Sequence, residues 1–375
     1  MLSFWERESF TKYDFIIIGG GIVGCSTASH LKQNYPHAKI AILERGMFPS
    51  GASSKNAGFA CFGSLTELAD DLPNIGEDDL VKLVKKRWDG LQKLQSILGK
   101  ENIDFQQNRG FELIRDKELA VLDQIDYFNN LLRGTFKSVV FNNEPELVKS
   151  FGFDKKSVHT IVSNQFEGQI DTGKMISSWW KLCGELGINI YTGVEVKSVE
   201  GNGEVIAKGP VQDEVHFKAN KLAICTNAFA HKFYPREDIN PGRGMVMITQ
   251  PIDNLPVKGV FHYDEGYFYF RDVGNRLLIG GGRNLDMAVE NTDQFGINNK
   301  IKEQIQNDVK EMILPDQQVE WDMEWSGIMA FGATKAPIVK MINDDIAMGV
   351  RLGGMGVAIG TQVGAEISEL LISQY

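Results

Sequence analysis

The sequence predicts an α/β fold (α+β overall) in which a parallel-sheet domain carries an inserted antiparallel-sheet domain. Three observations predict it. A β-branched apolar run at residues 14–18 is followed at once by spaced glycines and a helical pattern. A second glycine-rich loop, at residues 353–356, opens another helical pattern near the end of the chain. Between them, residues 244–252 and 260–282 alternate apolar and polar side chains around short turn signals.

The first element, "DFIII" at residues 14–18, is short, apolar and bounded by glycine, as a strand buried on both faces requires. Gly19, Gly21 and Gly24 follow in GxGxxG spacing. Such glycines allow a tight turn, a close backbone approach to a pyrophosphate, and close packing of helix on strand. The helix that begins at Ile22 and Val23 aims its free amides at the phosphate position. "KIAILE" at residues 39–44 is a second strand, and it ends in Glu44, twenty residues beyond Gly24. A carboxylate there accepts hydrogen bonds from ribose hydroxyls. Strand, loop, helix, strand and acid in this order favour a Rossmann-like dinucleotide-binding unit over a merely structural glycine turn. The unit alone leaves FAD and NAD undecided.

Composition sets the outer bounds. A chain of 375 residues, 43% hydrophobic and 23% charged, has the length of two globular domains and the make-up of a soluble protein. Its net charge of −10 argues against nucleic acid or an anionic membrane as partner. The basic run "KLVKKRW" at residues 82–88 lies among Leu80, Leu83, Val84, Leu91 and Leu94 at helical spacing, so it reads as the solvated face of a surface helix. Cys25, Cys61, Cys183 and Cys225 form no CxxC pair, which indicates neither a zinc site nor a disulfide framework and suggests a reducing compartment. The sequence shows no basic-then-apolar leader and no apolar run of the ~18–20 residues a membrane span needs, so the expected location is cytoplasmic.

Residues 45–63, "RGMFPSGASSKNAGFACFG", are rich in small residues and lack regular periodicity. A NAD-binding domain would return to its next strand through a helix, whereas a small-residue loop suits backbone lying along an extended cofactor. Ser50, Gly51, Ala52, Ser53, Asn56 and Gly58 form the pattern Ser-Gly-Ala-Ser-x-x-Asn-x-Gly. Here the chain resembles the D-amino-acid-oxidase-like (DAO) family of FAD-dependent oxidoreductases, which includes glycine oxidase and sarcosine oxidase. The resemblance implies that this loop, with Arg45 and Ala57, passes the FAD pyrophosphate and flavin.

Later segments extend the resemblance. "EGQIDTGKM" at residues 167–175 looks like the family's G-x-I-D-P/T stretch opening a helix, with Asp171 or Thr172 as N-cap. Residues 186–200 alternate like a strand, and the resemblance places Val196 at the cofactor. Residues 219–233 resemble the strand whose end, A-T-G-A-W, contacts FAD; here Thr226 is followed by Asn227 in place of the glycine. Residues 344–371 resemble the closing strand, loop and helix, with Gly353, Gly354, Met355, Gly356 and Val357 at the cofactor. A glycine loop opening a helix aims free amides and a positive dipole end outward. In the family that end faces the flavin pyrimidine, where reduction places negative charge.

The resemblance implies a discontinuous FAD-binding domain of residues 1–80, 150–235 and 320–375. Residues 81–149 and 236–319 would form a substrate domain roofing the flavin, the second insert as an antiparallel sheet with turns at "DEG" and "VGN". In "YFYFR" the strand period puts Tyr267, Tyr269 and Arg271 on one face, with Phe268 and Phe270 on the other. Those first three are the catalytic candidates; the plainer alternative is an aromatic sheet face with an exposed arginine. Arg243 and Arg283 are further candidates, of a kind more often found on surfaces or bridging domains.

Amino-acid oxidases of the family anchor the substrate carboxylate with a cation. Glycine-oxidase-like chains place an arginine in W-x-G-L-R-P, but "WSGIMAF" at residues 325–331 puts Met329 there. Sarcosine-oxidase-like chains place a lysine after G-H-G-F, where this chain has Ala358. Either Arg351, Arg243, Arg271 or Lys335 takes that role, or the substrate lacks a carboxylate. Some relatives attach FAD covalently through a cysteine aligned with residues 332–339; none occurs there, so noncovalent FAD is expected. Cys61 reads as a buried, inert thiol.

The implied function is an FAD-dependent oxidoreductase that oxidises the C–N bond of an amine or amino acid by hydride transfer to flavin, with O2 or another acceptor taking the electrons. Such chemistry rests on orientation and flavin electrostatics, which suits a sequence without a Ser/His/Asp or paired-carboxylate constellation. His30, His37, His159, His216, His231 and His262 stand isolated, and no metal site is expected. Two alternatives stay open: oxidation of a hydroxyl substrate such as glycerol 3-phosphate, and a flavin-holding subunit of a larger complex. The segments after residue 45 argue against an NAD-dependent dehydrogenase.

Overall fold

The computed structural model describes residues 2–373. Lys12–Ile18 is the middle of the first sheet, flanked in parallel by Ile40–Glu44 and Val215–Ile224. Asn189–Thr192 extends the sheet beyond the former and Ile346–Val350 beyond the latter, both in parallel. Phe15, Ile16 and Ile17 are fully buried, as a central parallel strand requires. The strand expected across residues 186–200 breaks at Gly193 (φ +69°) into Asn189–Thr192 and Glu195–Val199. The second piece pairs antiparallel with Glu204–Lys208.

The helices Ile22–Asn34 and Gly356–Ile372 cross at small residues. A Cβ on Gly364 would lie 2.5 Å from the Ser26 Cβ, and Ser26 Oγ donates to the Thr361 carbonyl at 2.7 Å. The long helix Leu65–Leu98 begins with a Ser64/Glu67 capping box and bends at Gly76. Its Gly90 touches the closing helix so closely that a Cβ would sit 2.1 Å from the Ala358 carbonyl oxygen. The basic run on this helix is only partly solvated. Lys82 and Lys85 face water, but Arg87 is buried, because it falls on the same stripe as Leu80, Leu83, Val84 and Leu91.

The second sheet runs in the order Trp321–Phe331, Asn240–Thr249, Arg276–Gly281, Phe268–Val273, Val260–Tyr263, Gly110–Ile114, Thr160–Asn164, Phe141–Asn143. Neighbours are antiparallel except Val260–Tyr263 with Gly110–Ile114. The chain reverses at the "DEG" and "VGN" turns, with Asp264 and Glu265 both left-handed (φ +56° each). Trp321–Phe331 and Thr160–Asn164, which the sequence grouped with the cofactor segments, are strands of this second sheet instead. Alternation announces a strand but does not name its partner. No helix among the described residues is long and apolar enough to cross a membrane, and all four cysteines are free and buried.

Candidate functional site

A cavity of about 460 Å³ starts at the carboxyl ends of the first sheet's strands and runs beneath the second sheet. Gly19, Gly21, Ile22 and Val23 line it where the first strand ends. Gly19 takes φ +108°, and a Cβ there would lie 2.7 Å from the Cys225 carbonyl oxygen. A Cβ on Gly21 would meet Ser53 Oγ at 2.5 Å, the same hydroxyl that accepts from the Ile22 amide at 3.1 Å. Gly24 stands behind the cavity as the packing glycine, its missing Cβ only 1.9 Å from the Gly19 carbonyl oxygen. Glu44 spreads its carboxylate over this loop: Oε2 accepts from the Gly20 amide at 3.0 Å, Oε1 from the Gly46 amide at 2.9 Å and Ser50 Oγ at 3.1 Å.

The small-residue loop forms the long wall. Arg45, Ser50, Gly51, Ala52, Ser53, Asn56 and Ala57 all line it. Arg45 stacks over Phe229 at 3.7 Å and donates to Ser50. Gly58 does not line the cavity; it turns the chain at φ +76°, and its amide donates to Asn56 Oδ1 at 2.8 Å.

Val196, Thr226, Asn227 and residues 353–357 close the opposite wall. Asn227 adopts φ +47°, a left-handed conformation that asparagine tolerates better than most residues with a side chain. Its Oδ1 accepts from the Arg351 amide at 3.1 Å and the Leu352 amide at 3.4 Å, tying the first strand's neighbour to the closing loop. Helix Gly356–Ile372 has no side-chain cap, and Thr226 Oγ1 is buried without a partner. An open helix N-terminus, an orphaned hydroxyl, an acid on the nucleotide loop and two glycines that admit no side chain fit an extended dinucleotide such as FAD.

The second sheet roofs the cavity with Gly244, Val246, Met329 and Phe331, together with Tyr267 and Tyr269. Tyr267 sits in the turn before Phe268–Val273. Tyr269 packs edge-on against Phe59 with centroids 5.4 Å apart, and desolvation pushes its phenol up to about 12, so it remains a proton donor at neutral pH. Arg271 is not brought to the cavity. Two strand residues further along, it is buried behind the loop, with a Gly58 Cβ site 2.8 Å from its Nη2. Burial lowers its guanidinium to about 10.

The structure adds residues the sequence reading passed over. Buried His262 pairs across the hairpin with Tyr269, and desolvation lowers its pKa, which favours neutral imidazole. The register of the "DEG" hairpin was the signal that could have found it. Arg87 reaches the cavity from the long helix and donates to the Phe62 carbonyl at 2.8 Å. Cys61 also lines the cavity, but burial beside Glu167 raises its thiol well above the ordinary range and leaves it unreactive.

Behind Cys61, Glu167 accepts from the Phe62 and Gly63 amides at 2.9 and 3.3 Å, and burial pushes its carboxyl up to about 8. Glu112 accepts from Ser64 Oγ at 2.8 Å and the Thr66 amide at 3.1 Å and is pushed to about 7 for the same reason. No group of three or more His, Cys, Asp or Glu among the described residues could hold a metal ion.

Three of the four cations expected to replace the missing anchors lie outside the cavity. Arg351 pairs with Asp238 at 2.6 Å, Arg243 holds Glu290 through bonds of 2.9 and 2.8 Å, and Arg271 stands behind the wall. Lys335 does line the cavity, paired with Asp71 at 2.6 Å.

Comparison with known proteins places this geometry. The profile of the family described as FAD dependent oxidoreductase (DAO) matches residues 14–370. Glycine oxidase of Bacillus subtilis (strain 168) is 22% identical over 373 residues, spanning 96% of this chain and 94% of that protein. The glycine oxidase structure from Geobacillus kaustophilus superposes with a TM-score of 0.77 at 17% identity, covering 97% of this chain and 95% of that one. L-α-glycerophosphate oxidase from Mycoplasma pneumoniae with FAD bound gives 0.76 at 16% identity, covering 96% and 95%.

Proposed function

Because the chain belongs to the DAO family of FAD-dependent oxidoreductases, we propose that it oxidises the C–N bond of a small amine or amino acid and holds its FAD noncovalently. One observation carries the reading. A single cavity joins the nucleotide loop, the open N-terminus of the closing helix and the aromatic roof, so a molecule beneath Tyr267 and Tyr269 shares its chamber with the cofactor residues. Similarity to proteins named glycine oxidase along nearly the whole chain supports the same class.

When bound, FAD supplies the hydride acceptor. The protein's part is to place and enclose. Glu44 would receive the ribose hydroxyls, and the amides at the start of helix Ile22–Asn34 would hold the diphosphate. The amides opening helix Gly356–Ile372 favour negative charge at their end of the cavity. Tyr267 and Tyr269 donate hydrogen bonds to the substrate, while Val246, Met329 and Phe331 exclude water and fix its orientation. Arg271 supports the wall from behind. The lack of cysteine in residues 332–339 supports noncovalent attachment.

The likeness to α-glycerophosphate oxidase favours a second reading, a hydroxyl substrate. Against it, a phosphate calls for several free cations, and three of those lining the cavity are already engaged: Lys335 by Asp71, Lys232 by Asp293, and Arg87 by the Phe62 carbonyl. Turnover assays separate the two. Purified, FAD-loaded protein is expected to release an amine or ammonia together with a carbonyl product from glycine, N-methylglycine or a simple amine, or to convert proline to its cyclic imine. Turnover of glycerol 3-phosphate with none of these nitrogen compounds would overturn the proposal.

A further inference from the structure

We propose that His262 takes the proton from the ammonium group of the substrate and passes it out of the reaction cavity, into a small polar chamber behind the roof. The inference rests on the amine or amino-acid reading above and names the base that such a reaction needs.

Placement comes first. His262 lies on Val260–Tyr263, between Tyr269 on one neighbouring strand and Glu112 on the other. Residues paired in register point to the same face of a sheet, so Tyr269, His262 and Glu112 form one row, about 10 Å from end to end. Phe270, Phe261 and Phe111 make the matching row on the opposite, core face. The first row leads from one cavity to another. Tyr269 and His262 line the large cavity, whereas His262 and Glu112 line a second cavity of about 10 Å³ together with Ser64, Asn164 and Glu167. That volume suits a single water molecule. Asn164 is 4% exposed and its Nδ2 has no partner, so the chamber holds an unspent donor.

The ring comes second. His262 packs on Phe59 with centroids 5.1 Å apart and makes no hydrogen bond among the described residues. Glu67, Arg87, Cys61 and Glu265 share the large cavity with it. Glu67 favours the imidazolium, but burial opposes it more strongly and leaves a neutral ring that can accept a proton. Arg87 is held by the Phe62 carbonyl, and burial keeps the Cys61 thiol protonated. On the chamber side, Glu112 and Glu167, pushed by burial to about 7 and about 8, exchange protons near neutral pH.

Amine oxidation calls for such a base. An alkylammonium loses its proton near ~10, as lysine does, yet hydride leaves only from the free amine, whose lone pair forms the C=N bond. In the proposed step the ammonium N–H bond breaks and its proton joins one ring nitrogen of His262. The C–H hydride then carries both bonding electrons to the FAD, leaving an iminium product. The other ring nitrogen of His262 releases its proton into the chamber, to a water there or to the Glu112 carboxylate.

The test has a kinetic and a structural part. Anaerobic rapid mixing follows flavin bleaching by whichever of glycine, N-methylglycine, proline and simple amines reduces the wild-type protein fastest. His262→Asn should be ~100-fold slower at about pH 7 but within about threefold at about pH 10, where the substrate arrives as free amine. Glu112→Gln should be about 3- to 10-fold slower at the lower pH and unchanged at the higher. Flavin content and thermal midpoint check that each variant is folded; if His262→Asn is not, His262→Gln carries the same comparison. Equal slowing at every pH would show that His262 only shapes the pocket, and would overturn the base. A high-resolution crystal structure should show an ordered water in the chamber, bonded to Asn164 Nδ2, to a glutamate and to His262; a dry chamber would overturn the passage of the proton. Bleaching by no amine at any pH would sink the reading above and the base with it, whereas bleaching by amines without rescue at high pH would sink the base alone.

Discussion

Gly24 shows how little freedom the nucleotide loop has. A Cβ there would lie 1.9 Å from the Gly19 carbonyl oxygen and 3.1 Å from Ile17 Cγ2, contacts no rotamer can relieve. Gly24→Val is expected to cost at least ~1–3 kcal/mol and to empty the protein of flavin, measured by urea unfolding and visible absorbance. Asn227 makes a subtler case, since both its backbone and its side chain matter. Asn227→Ala forces alanine into a left-handed conformation and frees the Arg351 and Leu352 amides, for a loss of ~2 kcal/mol. Asn227→Gly removes only the side-chain bonds, so its thermal midpoint should fall about half as far; an equal fall would contradict this account. The glycines, Glu44 and the Ser50–Asn56 pattern were legible in the sequence because their tasks are local and their spacing is short. Arg87 and the engagement of Arg351 were not, because each depends on a segment remote in sequence, whereas His262 could have been found from the register of its own hairpin.

Among elements, the second sheet shows where sequence patterning stops. Its hairpins could be read from alternation and turn residues, but the pairing of Trp321–Phe331 with Asn240–Thr249 could not, since nothing local distinguishes one antiparallel partner from another. Arg87 marks the same boundary: its helical spacing was visible, while its basic neighbours suggested solvent. The short helices after Gly281 are pinned by Arg243 and Glu290, whose side chains are 12% and 2% exposed. Arg243→Met leaves a buried carboxylate uncompensated and is expected to destabilise by ~3–5 kcal/mol in denaturant unfolding. The double variant Arg243→Met/Glu290→Leu should recover most of that, because it removes both charges. A double variant as unstable as the single one would show that the pair matters through packing alone.

For the molecule as a whole, the seam behind the cavity sets how stability responds to pH. Glu167 and Glu112, pushed by burial to about 8 and about 7, hold protons that an unfolded chain releases near ~4.3. Between those values the folded state binds more protons than the unfolded one, so stability falls as pH rises from about 5 to about 8. Glu167→Gln deletes one of these titrations while its side-chain oxygen can still accept from the Phe62 and Gly63 amides. Its thermal midpoint should therefore change less over that pH range than the wild type's, and an unchanged slope would show that Glu167 is ionised in the folded protein. The two sheets, the seam and the roof meet at one chamber, and the central claim concerns what reacts there. The most direct measurement is the anaerobic visible spectrum of the FAD-loaded protein before and after glycine, N-methylglycine, proline and simple amines are added in turn. The account predicts flavin absorption that bleaches with at least one of these compounds. Absence of flavin bands even after incubation with FAD, or bleaching by glycerol 3-phosphate alone, would contradict it.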